Sequence, residues 1–202
     1  MISESEVSVP AIKLVMLGNS GVGKSSLINK WLLGGNPSSI RPTIGAVNHM
    51  CRLQIDETET DLFLWDTAGQ EQFASLAPLY VRSTSVALIT VDITDMDSFL
   101  NMDSWISMLK CACDDIPPMI LAINKMDLFE KAVLDTNEIE NKHKNTFKHI
   151  IFASAQTGEN VDILFTKAAK EGLLFFQNSK KRHQAIIIPS KPSDNQGNGC
   201  FC

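Results

Sequence analysis

Long apolar runs, an excess of positive charge and an oxidisable cysteine framework are all missing from this chain of 202 residues. No uninterrupted apolar stretch reaches the roughly 20 residues that a membrane-spanning helix needs. Lys and Arg number 18 against 23 Asp and Glu, a net charge of −5, which excludes a broad nucleic-acid footprint. The start, Met1-Ile2-Ser3-Glu4-Ser5-Glu6, has acid where a secretory leader has a basic and then an apolar region. The chain is therefore expected to be made and kept in the cytosol, where disulfides are rare. Only five cysteines occur. Cys111 and Cys113 stand two apart on an expected helix and point to different faces, which disfavours a shared metal or disulfide; Cys51 reads as packing. Cys200 and Cys202 at the extreme end ask for another explanation.

What is present begins with Gly18-Asn19-Ser20-Gly21-Val22-Gly23-Lys24-Ser25. It fits G-x-x-x-x-G-K-[ST], and its setting fits as well. The apolar run Ile12–Leu17 before it reads as a buried strand, and Ser26–Leu33 after it has helical spacing. A turn of this kind aims successive backbone N–H groups, with the helix dipole behind them, at phosphate oxygens. The expected cradle is Ser20, Gly21, Val22, Gly23, Lys24, Ser25 and Ser26. Lys24 reaches toward β- and γ-phosphates, and the Ser25 hydroxyl is placed for Mg²⁺. The plain alternative is a glycine-rich turn that holds nothing; the Lys-Ser pair in this context argues against it. The chain is expected to bind a nucleotide.

Further along, two candidate strands, about 47–55 and 60–65, are joined by a short polar turn, which favours an antiparallel pair. Residues 66–82 read as loop holding a short helix. The runs Val86–Val91 and Met119–Ile123 lack alternation, as strands covered by helices on both faces do. Phe99, Met102, Ile106, Leu109 and Cys113 form a core-facing helical stripe. A polar helix is expected within 135–146, a strand over 149–153, and a last helix on the stripe Val161, Leu164, Phe165, Ala168, Ala169, Leu173 and Phe176. Alternating strands and helices predict an α/β three-layer sandwich with a mostly parallel sheet. The expected organisation is a short disordered lead over residues 1–10, one domain over 11–177, and a flexible tail over 178–202.

Ligands of such sheets lie beyond the carboxyl ends of the strands, and the informative loops follow those ends. Asp66, in Trp65-Asp66-Thr67-Ala68-Gly69-Gln70-Glu71, is placed to hold the Mg²⁺ shell. Gly69 permits close approach of its N–H to a γ-phosphate, and Gln70 can orient the attacking water. Thr43, in a Pro- and Gly-flanked loop, can bring its hydroxyl to the metal when a triphosphate orders that loop. In Asn124-Lys125-Met126-Asp127, the Asp127 carboxylate offers two acceptors side by side, matching the N1–H and 2-amino donors of guanine. Adenine has no donor pair there and would leave the carboxylate unpaired. Ser154-Ala155-Gln156 suits a second approach to the base through backbone N–H.

Together GNSGVGKS, RPTIG, WDTAGQE, NKMD and SAQTG resemble the Ras-like small GTPases over about residues 11–177. Residues 75–82 and the ending Cys200-Phe201-Cys202 resemble the Rab group, the second switch being closest to endocytic members. The resemblance implies six strands and about five helices. It also implies GTP and GDP as substrate and product, Mg²⁺ as cofactor, and slow hydrolysis. The implied partners are an exchange factor, a GTPase-activating protein, effectors, an escort protein and a dissociation inhibitor. The implied setting is vesicle trafficking on the cytoplasmic face of endomembranes, endosomes among them, with a prenylated Cys200 and Cys202 as membrane anchor and no nucleic acid. Two lipid chains hold a membrane stably where one does not. Three departures stand out. Asn36 takes the place of an aromatic that covers the guanine, which implies faster GDP release. Asn48 replaces the Phe of an aromatic trio completed by Trp65 and Tyr80. Gln156 stands where Lys is common. Two other readings compete: a nucleotide-holding scaffold that barely hydrolyses, and a small-metabolite kinase, for which the sequence shows no Arg-rich lid.

Overall fold

The structure is a computed structural model that describes residues 9–34, 43–69 and 77–187, with backbone alone for 77, 78 and 182–187. Six strands form one sheet in the order β2-β3-β1-β4-β5-β6. Strands β1 (Ala11–Leu17), β3 (Thr58–Thr67), β4 (Val86–Asp92), β5 (Met119–Asn124) and β6 (His149–Phe152) run parallel, and β2 (Ala46–Ile55) is antiparallel to β3. The short connection that favoured an antiparallel pair is shorter than expected. Pairing continues to Ile55 opposite Thr58, and Asp56 turns the chain in the left-handed region (φ 50°), which Asp tolerates better than most residues.

Because strand side chains alternate in direction, β1 and β4 feed two cores at once. Leu14, Met16, Val86 and Leu88 pack on one face with Leu27 and Ile28 of α1 (Lys24–Leu33) and with Leu164, Phe165 and Ala168 of α6 (Val161–Ile187). Val15, Leu17, Ala87 and Ile89 pack on the other face. Their partners there are Met102, Ile106 and Leu109 of α4 (Met102–Ala112) and Ile139 of α5 (Thr136–His143). Every residue of β4 and β5 is buried, as an unalternating apolar run requires. Trp31 stacks on Phe165 with ring centroids 4.5 Å apart, fixing α1 to α6. Cys51 packs against the first core. Burying each large aliphatic chain contributes about 1.5–3 kcal/mol.

The helices differ in detail from the sequence expectation. Two short ones, α2 (Ala77–Val81) and α3 (Met96–Leu100), bring the count among the described residues to six, beside a 3-10 segment, Met126–Lys131. The stripe expected as one helix over 99–113 is split at Asn101. Asp95 caps α3 by accepting from Asp97 N (3.0 Å), and Ser98 Oγ bonds to Asp95 O (2.7 Å) and receives Asp92 N (3.0 Å). That pins the first turn to the end of β4. The tail boundary expected at residue 177 falls inside α6, which continues to Ile187. Lys, Arg, Gln and Ala all favour helix, and Lys180 Nζ lies 4.7 Å above the Phe176 ring. Among the described residues no helix is long and apolar enough to cross a membrane. The lead 1–8, Asn36, Gln70 and the two terminal cysteines lie outside the described residues.

Candidate functional site

All the described site residues gather at the carboxyl edge of the sheet. The chain leaves β1 at Gly18, whose φ of 138° and buried position leave no room for a side chain; a Cβ there would stand 2.2 Å from Thr90 O on β4. Gly23 (φ 96°) caps α1, and its carbonyl receives Leu27 N at 2.9 Å. Between them the loop curls so that Lys24, 5 % exposed, donates from Nζ to Gly18 O (2.7 Å) and Asn19 O (2.8 Å). Burial lowers the Lys24 pKa to about 8, with Asp66 opposing the shift. A cation so held can exchange two neutral carbonyls for phosphate oxygens, which stabilise its charge far better.

Three hydroxyl and carboxyl groups meet beside it. Ser25 Oγ donates to Asp66 Oδ2 at 2.5 Å and lies 2.8 Å from Thr43 Oγ1; Thr43 Oγ1 reaches the same Asp66 Oδ2 at 3.2 Å. Asp66, near the end of β3, is 4 % exposed, and its Oδ1 is buried with no partner among the described residues. An orphaned carboxylate oxygen inside a cluster of hard oxygen donors fits a small divalent cation such as Mg²⁺. Sequence put these three residues, from three separate segments, on one metal, and the structure brings them together. Thr67 Oγ1 donates to Met16 O (2.6 Å) and fixes the end of β3 to β1. Gly69 follows with its backbone pressed on the loop: a Cβ there would be 2.3 Å from Asn19 C and 2.4 Å from Ser20 N. Ala68 N donates to Gly45 O (2.7 Å), which ties the Thr43 segment to the Asp66 segment.

The other end of the site hangs from β5 and β6. Asn124, 1 % exposed, spans three segments. Its Nδ2 donates to Val22 O (2.8 Å) in the phosphate loop, and its Oδ1 receives Ala155 N (3.1 Å). Lys125 turns the chain at φ 68°, and its ammonium pairs with Asp92 Oδ2 at 2.6 Å. Ser154, fully buried, donates to Asp127 Oδ1 at 2.5 Å and receives Thr157 N at 3.1 Å. Asp127 itself is exposed at the rim, its carboxylate oriented by Ser154. Gln156 is exposed and Ala155 buried. A fixed carboxylate here presents paired acceptors to a ligand with two adjacent donors.

Residues that the motif reading passed over complete the frame. Asp92 orients Lys125; it was legible only as the residue ending an apolar run. Asn19 and Trp105 are joined through Trp105 Nε1–H to Asn19 Oδ1 at 3.0 Å, and Asn19 occupies an unspecified position of the phosphate-loop pattern. On the neighbouring surface Asn48 pairs with Trp65 across β2 and β3, and the Trp65 and Tyr80 rings lie 5.9 Å apart, so the three expected partners share one patch. Lys13 Nζ sits 4.4 Å from the Trp65 ring. Across this whole frame, residues 13–173 match the model of the Ras family.

Proposed function

The chain belongs to the Ras family, and from that premise we propose that it is a Rab-like switch which binds GTP and GDP, hydrolyses GTP slowly and recruits effectors in vesicle trafficking. The observation that carries this reading is the junction of Ser25, Thr43 and Asp66 beside the buried Lys24, at the edge where Asp127 and Ser154 form a rim for a base. Lys24 and the loop N–H groups take the β- and γ-phosphates. Ser25, Thr43 and Asp66 are the side chains that would hold Mg²⁺, which when bound supplies charge neutralisation between the phosphoryl groups. Gln70 is assigned the orientation of the attacking water.

Switching follows from where Thr43 and Gly69 lie. Thr43 meets Ser25 and Asp66, Gly69 rests on Asn19 and Ser20, and a γ-phosphate adds contacts to both segments that a diphosphate cannot. The Asn48, Trp65 and Tyr80 patch, flanked by both segments, is the proposed effector surface. Exchange and activating factors act on the same segments. Cys200 and Cys202 are the proposed lipid acceptors for the cytoplasmic face of endomembranes, handled by an escort protein and a dissociation inhibitor. Single-turnover assays with saturating GTP or ATP, combined with affinity capture by the GTP-locked and GDP-locked protein, test the proposal. Hydrolysis of GTP alone and partners specific to the GTP form are expected. Equal use of ATP would overturn the base assignment, and identical partners in both states would overturn the switch.

A further inference from the structure

We infer that Trp105 is a positioning residue for the phosphate site, acting through Asn19; the inference rests on the nucleotide reading above. Trp105 is half-buried on α4, and it meets the loop at Asn19 where Asn124 meets it at Val22. Its indole N–H, a donor only, meets Asn19 Oδ1 at 3.0 Å across 86 positions of sequence. The other half of the same amide, Nδ2, reaches Asp97 O on α3 at 3.5 Å. Both ends of the Asn19 side chain are thereby directed, and its rotamer is fixed by two helices outside the loop.

The Asn19 main chain carries the consequence. Its carbonyl is one of the two that hold Lys24 Nζ, at 2.8 Å. Its carbonyl carbon and oxygen lie 2.3 and 2.4 Å from where a Cβ on Gly69 would be, so Gly69 rests on that peptide plane. The N–H at the far end of the plane is that of Ser20, the first of the cradle. Gly18 is seated against Thr90, and Val22 is tied to Asn124; the Trp105 bond orients the peptide between them. Rotating that peptide would misdirect the Ser20 N–H, loosen Lys24 and unseat Gly69 together. Trp105 therefore sets how tightly the loop closes on a phosphate, and couples α4 to the entrance of the second switch segment.

The test is a double-mutant cycle on the full chain with Trp105→Phe, which keeps the ring and deletes the donor, and Asn19→Ala. The readouts are the rate of GDP release and the ¹H–¹⁵N signal of the Trp105 indole. Losing one neutral hydrogen bond that holds the loop should speed release about 3- to 10-fold in each single variant. The double variant should release no faster than the faster single one. In Asn19→Ala the indole signal should shift, as it should in the wild type when GDP is replaced by a non-hydrolysable triphosphate analogue. Release at the wild-type rate in Trp105→Phe, or fully additive effects, would overturn the inference, since a helix merely repacked at its surface changes melting without coupling to Asn19. If Asn19→Ala does not fold, Asn19→Ser takes its place in the cycle. A wild-type chain that fails to prefer GDP over ADP would refute the nucleotide reading itself, a separate outcome from unchanged release in the variants.

Discussion

The two ends of the site are built on opposite plans. At the base end Asn124, Lys125, Asp127 and Ser154 hang from the buried strands β5 and β6, and each is oriented by a partner within the protein: Val22 and Ala155, Asp92, and one another. Its polar groups are oriented before any ligand arrives. At the phosphate end Ser25, Thr43 and Asp66 share one carboxylate oxygen, the other is orphaned, and Lys24 makes do with two carbonyls. A preformed end fixes which ligand binds, because the wrong donor pattern leaves a rigid acceptor unpaired. An under-satisfied end responds to what binds, because its groups gain most from an added cation and phosphoryl group. On the proposed function, identity and state are read at different places.

The contrast is sharpened most by Asp127→Ala. Two hydrogen bonds to a charged acceptor contribute about 1.5–3 kcal/mol each, so guanine-nucleotide affinity should fall by roughly 10²- to 10⁴-fold, with the preference for GDP over ADP lost in competition titration. A variant that keeps its preference would move base recognition elsewhere. The next effect is on stability at the phosphate end. Gly18→Ala places a Cβ 2.2 Å from Thr90 O, whereas Gly21 (φ 81°) has open space around it. Thermal melting should drop by some 6–12 °C for Gly18→Ala, at about 2–4 °C per kcal/mol, and by only about 2–4 °C for Gly21→Ala, where backbone strain of about 1 kcal/mol acts alone. Equal losses would show that the loop is not seated on β4.

A smaller and graded effect comes from pH. Lys24 in the free protein titrates at about 8 because burial disfavours its charge, while bound phosphates favour the charged form and raise that pKa. The complex then holds one proton more than the free protein above pH 8. GDP affinity should be flat below that value and fall by up to about tenfold per pH unit above it. Affinity that rises with pH would contradict the placement of Lys24. Proton uptake measured in two buffers during titration checks the same sign.

How much of this was legible in the sequence depends on whether a contact is local. Gly18 to Ser25 is one contiguous turn between a strand and a helix, so its pattern carried the cradle. Asp66, Asn124 and Ser154 end or follow apolar runs, and a parallel sheet brings such ends to one edge, so their meeting followed from the fold. Thr43 was read from its Pro- and Gly-flanked loop, and its hydroxyl stands 2.8 Å from that of Ser25. What could not be read are pairs that distant elements create at positions no pattern specifies: Asp92 with Lys125, and Trp105 with Asn19. The split of α3 from α4 was hidden because Ser98 and Asp95 act through backbone groups while the apolar stripe runs on across Asn101. The length of α6 was hidden because a solvated helix needs no apolar stripe.

In the proposed switch Thr43, held to Ser25 and Asp66, reports the terminal phosphoryl group and not the base. Equilibrium titration of Thr43→Ala against GDP and against a non-hydrolysable GTP analogue, both with Mg²⁺, tests it most directly. A loss of about tenfold or more is expected for the triphosphate analogue, the worth of one charge-assisted contact, with GDP affinity within about twofold of the wild type. Equal losses for both nucleotides, or none for either, would contradict it.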